Sequence, residues 1–164
     1  MVFIGVKDLT EIRKKFKDKK IVFCSGTFDL IHAGHVLFFE DCKRIGDILV
    51  VAVGNDNLIN KYKGKNRPII NERARLKMID SIKPVDFCLI DLPILDDDLF
   101  SPIIPILEKL RPDIWAVNND AFAIPIRKDL AKKYLIELKI LKRYCPKEFG
   151  NISTTNIINK IKDL

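Results

Sequence analysis

Ile21-Val22-Phe23-Cys24-Ser25-Gly26-Thr27-Phe28-Asp29-Leu30-Ile31-His32-Ala33-Gly34-His35-Val36-Leu37-Phe38-Phe39 is the stretch on which the fold turns. It begins as a short apolar run rich in β-branched residues and passes through a glycine. It then continues with the three-to-four spacing of a helix, which expects a helix over Val36 to Ile45. Such a strand, turn and helix is the opening unit of a parallel α/β sheet. The chain's two histidines, His32 and His35, both lie in this turn. A separation of three brings their rings onto one side of the incoming helix. Gly26 lets the backbone turn after the strand, and Gly34 lets a ligand approach the helix without meeting a Cβ. Free amides at that helix start attract phosphate, and the imidazoles can donate to phosphoryl oxygens as charge builds in a transition state. Asp29 is placed to orient the turn or a substrate group.

Outward from this turn the same alternation repeats. Strands are expected at Ile21 to Ser25, Ile48 to Gly54, Val85 to Asp91, Asp113 to Asn118 and Leu138 to Tyr144. Helices are expected at Leu9 to Phe16, Glu72 to Ile82, Leu99 to Leu110, Ile126 to Ile136 and Thr154 to Ile161. Asn71 and Ser153 or Thr154 are suited to cap two of these, and Asp96 to Asp98 put negative charge where another begins. The expected architecture is a Rossmann-like, doubly wound, five-stranded parallel sheet with right-handed crossovers. Residues 1–164 form one domain, with 1–20 as a helical lead-in and 21–164 as the core. Ligands of such sheets bind beyond the carboxyl ends of the strands, which brings the loops at 26–35, 54–67, 118–125 and 145–154 to one cleft.

Composition narrows the class. With 164 residues and 48% hydrophobic content there is material for one ordinary core. No apolar run approaches the roughly 20 residues of a membrane span. The N-terminus places its apolar patch before its basic residues, the reverse of a secretory signal, so a cytoplasmic location is expected. Four cysteines stand far apart without a CxxC pair, which speaks against zinc or disulfides. A formal charge of +7 suits an anionic ligand. Its cations are scattered over amphipathic helices and one loop, which a phosphorylated small molecule explains as well as nucleic acid does; small-molecule partners are expected, with neither nucleic acid nor membrane.

The run Gly26-Thr27-Phe28-Asp29, followed by His32 and Gly34-His35, resembles the signature of the cytidylyltransferase-like nucleotidyltransferase superfamily. That resemblance implies attack by an acceptor's phosphate or phosphonate oxygen on the α-phosphate of a nucleoside triphosphate, with release of pyrophosphate. His32 and His35 are then catalytic, and Gly26, Thr27, Phe28 and Gly34 lie against the nucleotide. Lys61-Tyr62-Lys63-Gly64-Lys65-Asn66-Arg67-Pro68 is similar to the superfamily's mobile lysine segment, with Lys63 as a catalytic cation and Lys65 on the nucleotide. Arg75, eleven residues before Asp86, matches a nucleotide-binding arginine. Ser153-Thr154-Thr155 matches a phosphate-binding helix start, where hydroxyls and free amides suit β- and γ-phosphates.

Within the superfamily, Glu148 and Lys83-Pro84-Val85-Asp86 depart from the cytidylyltransferases of glycerol phosphate and choline phosphate. His32 to Val36, Arg67-Pro68 and Ser153 to Ile158 look like the adenylyltransferase domain of bacterial heptose-phosphate nucleotide synthesis. ATP is the implied donor, Mg²⁺ its companion, a sugar phosphate the implied acceptor and a homodimer the implied assembly. Where that domain carries Lys-Gly-Gly-Asp-Tyr, this chain has Asn118-Asn119-Asp120. Asn118 and Asn119 are candidates for the acceptor, with Asp29, and Asp120 for the nucleotide. A cytidylyltransferase of a polyol, aminoalcohol or phosphonate, and an FMN adenylyltransferase, are the alternatives within the superfamily. A nucleotide- or nucleic-acid-binding module is the alternative outside enzymology. No Cys or Ser stands beside a base, so direct in-line transfer is expected.

Overall fold

In the computed structural model, residues 4–95, 97–142, 145–150 and 152–164 are described. Five strands, β1 (Ile21–Gly26), β2 (Ile48–Val53), β3 (Phe87–Ile90), β4 (Ile114–Asn118) and β5 (Glu137–Leu141), form one sheet in the order β3-β2-β1-β4-β5. Every pairing is parallel. Helices α1 (Leu9–Lys15), α2 (Ala33–Arg44), α3 (Asp56–Lys63), α4 (Glu72–Asp80), α5 (Ile104–Leu110), α6 (Ile124–Lys133) and α7 (Thr154–Lys162) make up the rest.

Strand periodicity sorts the core into two layers. Phe23, Val50, Ala52, Leu89 and Trp115 pack with residues of α1, α5 and α6 on one face. Val22, Cys24, Leu49, Val51, Val53 and Cys88 pack with α2 and α4 on the other. The sheet is therefore wound on both sides, as its nearly uninterrupted apolar strands demand. Because β1 sends the chain outward to β2 and β3 and receives β4 on its other edge, the connections part between β1 and β4. A crevice opens there, at the carboxyl ends of the strands.

Several expected boundaries move, each for a local reason. Helix α2 starts three residues early, so His32 becomes its N-cap and His35 lies in its first turn. The helix expected from Leu99 begins only at Ile104. Pro102 disfavours helical geometry in the residue before it, and Asp98 caps a turn through its Oδ1, which accepts from Phe100 N at 2.8 Å. Asp96 lies outside the described residues, as does Tyr144 at the expected end of β5. Residues 56–63, read as loop, form helix α3: Asn55 caps it by accepting from Leu58 N, and Leu58 and Ile59 are buried. Asn71 and Ser153 cap α4 and α7 as the sequence suggested, accepting from Ala74 N and Asn156 N. No helix among the described residues is long and apolar enough to cross a membrane.

Candidate active site

A cleft of about 380 Å³ occupies the crevice between β1 and β4. Its first wall is the turn after β1. A Cβ on Gly26 would come within 2.8 Å of Phe28 Cζ, so the glycine is needed for the close approach of that ring. The sharp turn assigned to Gly26 is taken instead by Phe28, whose φ of 47° lies in the left-handed region. The Phe28 ring packs edge-on against His35 at 5.4 Å and against Phe39 at 5.0 Å, which fixes where the imidazole can stand. His32 and His35 then stack with centroids 3.9 Å apart and planes 21° from parallel. The start of α2 has no side-chain cap and no acidic residue in its first turn. Its positive dipole end thus favours an anion in the cleft.

The second wall comes from α3 and the segment after it. Lys63, the last residue of α3, lines the cleft with its amine 5.4 Å from the Tyr62 ring. Burial, followed by the charge of Arg67, holds its pKa below the usual lysine value. Tyr62 Oη and Thr27 Oγ1 lie 2.5 Å apart, which ties this helix end to the histidine turn. Burial raises the phenol's pKa, with the Thr27 hydrogen bond acting against it. Lys65, proposed from sequence as a second lysine on the nucleotide, is exposed and does not line the cleft.

Two expected ligand contacts are corrected by their burial. Asp29 is 1% exposed, and its carboxylate accepts from Arg67 Nε at 2.8 Å and from the amides of Ile69 and Ile70 at 2.9 Å. Asp29 borders the cleft, but with those partners its oxygens hold the segment before α4 against the turn. Arg75 is fully buried. It donates to Ile70 O, Thr27 O, Gly54 O and Asp56 Oδ1 at 2.5–2.8 Å, so it cross-links three loops from behind and does not reach a nucleotide.

Asn118, Asp120 and Thr154 close the cleft from β4 and α7. Asn119, Ser153 and Thr155 do not line it. The Asn119 amide continues the sheet by donating to Leu141 O at 2.9 Å. Ser153 spends its hydroxyl on the cap of α7. Sequence reasoning gave no role to Tyr62, Phe122, Arg67 or Arg127, all of which line the cleft. Arg127 had no signal, since it stands in a basic run of an amphipathic helix. Phe122 sits in the divergent loop after β4, and its 56% exposure beside Tyr62, rings 6.1 Å apart, was legible only in three dimensions. No group of three or more potential metal ligands occurs among the described residues.

The model of the family described as cytidylyltransferase-like matches residues 23–160, which span every element just described from β1 to α7. The chain belongs to the cytidylyltransferase-like family. Its fold is accordingly Rossmann-like. A bifunctional protein HldE of Campylobacter jejuni subsp. doylei is 37% identical over 150 residues, covering 91% of this chain and 29% of that protein. The chain thus spans less than a third of the length of such relatives. An FAD synthase of Ferroglobus placidus is 34% identical over 148 residues, covering 89% of this chain and 90% of that protein. Among solved structures, the lipopolysaccharide core biosynthesis protein of Thermoplasma volcanium superposes with a TM-score of 0.62 at 25% identity. That match covers 79% of this chain and 99% of the other.

Proposed function

We propose that this chain transfers AMP from ATP to a phosphorylated small molecule of the sugar-phosphate class, releasing pyrophosphate. The observation that carries the reading is the stacked pair His32 and His35, lodged at an uncapped helix start and facing a cleft that also holds Lys63 and Thr154. An acceptor phosphate oxygen attacks the α-phosphorus in line. A new P–O bond forms as the bond to the bridging oxygen breaks, and pyrophosphate leaves with that electron pair. The imidazoles donate to the α-phosphoryl and bridging oxygens as charge accumulates, and Lys63 adds positive charge beside the leaving group. The amides of α2 and Thr154 hold the triphosphate in place.

Mg²⁺ belongs to this proposal as the companion of the triphosphate, whose own oxygens supply ligands that the cleft does not preassemble. When bound it neutralises charge on the leaving group. ATP is favoured over CTP because Glu148 stands where the cytidylyltransferases of the superfamily carry an arginine. The HldE relatives favour a sugar phosphate. A flavin acceptor is the second reading, favoured by the FAD synthase relative matched over nearly its whole length and by the exposed ring pair Tyr62 and Phe122. A homodimer is proposed by the superfamily's habit, and light scattering of the purified chain tests it.

Pyrophosphate release decides the reading when ATP, CTP, GTP and UTP are crossed with sugar, polyol, aminoalcohol and flavin phosphates. ATP with a sugar phosphate is the expected active pair. Turnover with CTP and not ATP would overturn the donor, and His35→Ala at wild-type turnover would overturn the site. The expected loss in that variant is at least about a hundredfold, the scale for one transition-state donor.

A further inference from the structure

Beside the main cleft lies a smaller cavity of about 70 Å³ at the carboxyl ends of β1 and β2. Leu58, Ile59 and Ile103 give it an apolar floor, and Asp91 stands at its edge. One water needs at least roughly 10–15 Å³ of such space, so there is room for only a small part of a ligand. His35, Lys63 and Thr154 line the main cleft only, whereas Tyr62, Phe122 and Arg127 line both spaces. Ser25 and Gly26 are shared as well, and Arg127 is the cation at this junction.

Arg127 is an unusual cation for such a place. Its guanidinium lies 5.3 Å from the Phe100 ring and 5.2 Å from the Trp115 ring, and its Nε donates to Phe122 O at 2.9 Å. One terminal nitrogen is buried with no hydrogen-bond partner. Among the described residues no carboxylate forms an ion pair with it, in contrast to Arg67 and Arg75. Desolvation draws its pKa down to about 10, with Tyr62 pulling the other way. A charge taken out of water without a counter-ion is costly to the fold, and such a cost persists where a ligand supplies the missing partner. With Nε spent on Phe122 O and Nη1 buried, Nη2 is the donor left to the cavities, and the rings on which the guanidinium rests hold it in one orientation for a phosphate or phosphonate oxygen.

We propose that Arg127 is the docking cation for the acceptor's phosphate, at the junction of the two cavities, with a small part of the acceptor's body entering the side cavity. This rests on the nucleotidyl-transfer reading and deepens it. The α2 start and Thr154 serve the donor's phosphates, and Arg127 presents the nucleophile. The acceptor class that follows is a phosphate or phosphonate monoester whose first few atoms tolerate an apolar, aromatic-walled surface.

Equilibrium dialysis of radiolabelled inorganic phosphate, with the donor site filled by α,β-methylene-ATP, tests this on the full chain. Wild type is expected to bind phosphate saturably, Arg127→Gln at least about tenfold more weakly, and Arg127→Lys between the two. The affinity for α,β-methylene-ATP alone is expected to stay within about twofold in both variants. Equal phosphate affinity in wild type and Arg127→Gln overturns the proposal. A comparable loss of affinity for the nucleotide analogue also overturns it, because Arg127 would then serve the donor. Should the analogue not bind wild type, the nucleotidyl-transfer reading falls, and dialysis of phosphate alone still decides whether Arg127 is an anion site. If Arg127→Gln does not fold, Arg127→Lys carries the comparison, and phosphate binding equal to wild type there overturns docking by the guanidinium.

Discussion

Replacing Arg75 by Met separates a scaffold role from a ligand role more sharply than any other substitution in this chain. The side chain is fully buried and donates to three loop carbonyls, of Thr27, Gly54 and Ile70, and to the Asp56 carboxylate. Met fills much of the volume but supplies no donor, so three acceptors lose their partner and Asp56, half-open to solvent, loses its counter-ion. Leaving a buried acceptor unsatisfied costs about 1–3 kcal/mol, so with three carbonyls unpaired and solvent reaching Asp56 a loss of about 3–5 kcal/mol is expected. A domain's whole stability is about 5–15 kcal/mol. At roughly 2–4 °C per kcal/mol for a chain of this size, the melting temperature should fall by about 6–20 °C. Urea unfolding followed by circular dichroism measures the loss, and nucleotide affinity is read on the folded fraction at low temperature. Unfolding within about 1 kcal/mol of wild type, combined with a selective loss of ATP affinity, would refute the scaffold account and return Arg75 to the nucleotide site.

Asp91 offers a pH-resolved check. Burial raises its pKa from 3.8 to about 6, against hydrogen bonds from Asn55 that lower it. Because the folded value lies above the unfolded one, the proton favours the native state, and that stability is lost as pH rises through about 6. At about 1.4 kcal/mol per unit, ionisation costs on the order of 3 kcal/mol above pH 6. Asp91→Asn should therefore match wild type near pH 4 and exceed its stability by about 1–3 kcal/mol at pH 8; a pH-independent difference in urea midpoints would contradict this. Gly26→Ala places a Cβ against the Phe28 ring that positions His35. A loss of about 1–3 kcal/mol in stability and a larger fall in kcat than in substrate affinity are expected from thermal melts and initial rates. Lys63→Gln should cost about a hundredfold in turnover with a melting temperature near wild type, and full activity would remove Lys63 from the mechanism.

Fold and reaction class were legible because the features that encode them are local. β-branched runs, caps such as Asn71 and a glycine-bounded turn act within a few residues, and the sheet of five parallel strands follows from their alternation. Helix α3 escaped notice because Leu58 and Ile59 are a short apolar pair within a polar stretch that carries several lysines, and only tertiary burial shows which way they face. Arg75 and Asp29 were misread for a related reason. A charged residue in a motif looks like a ligand contact in sequence, and burial decides between ligand and scaffold. Arg127 and Phe122 were silent because what singles them out is a guanidinium without an ion pair among the described residues and a ring facing Tyr62, both created by elements far apart in the chain.

The two corrected residues also explain how one short turn can hold catalytic geometry. Asp29 pins the Arg67 side chain and the amides of Ile69 and Ile70, and Arg75 pins the carbonyls of Ile70, Thr27 and Gly54. A buried anion and a buried cation thus clasp one seam between the loop after β1 and the segment entering α4, at the residue just before Phe28 and at the residue just after it. Phe28 is held between those clasped points in a left-handed conformation, and its ring sets the edge against which His35 stacks. The turn therefore divides its labour: Gly26, Phe28 and Asp29 shape, while His32, Gly34 and His35 present groups to phosphate. Charge in the cleft divides along the same line. Arg67 is largely neutralised by Asp29, so Lys63 and Arg127 are left to attract anions into the cavity. An in-line displacement needs positive charge for both a leaving group and an incoming phosphate.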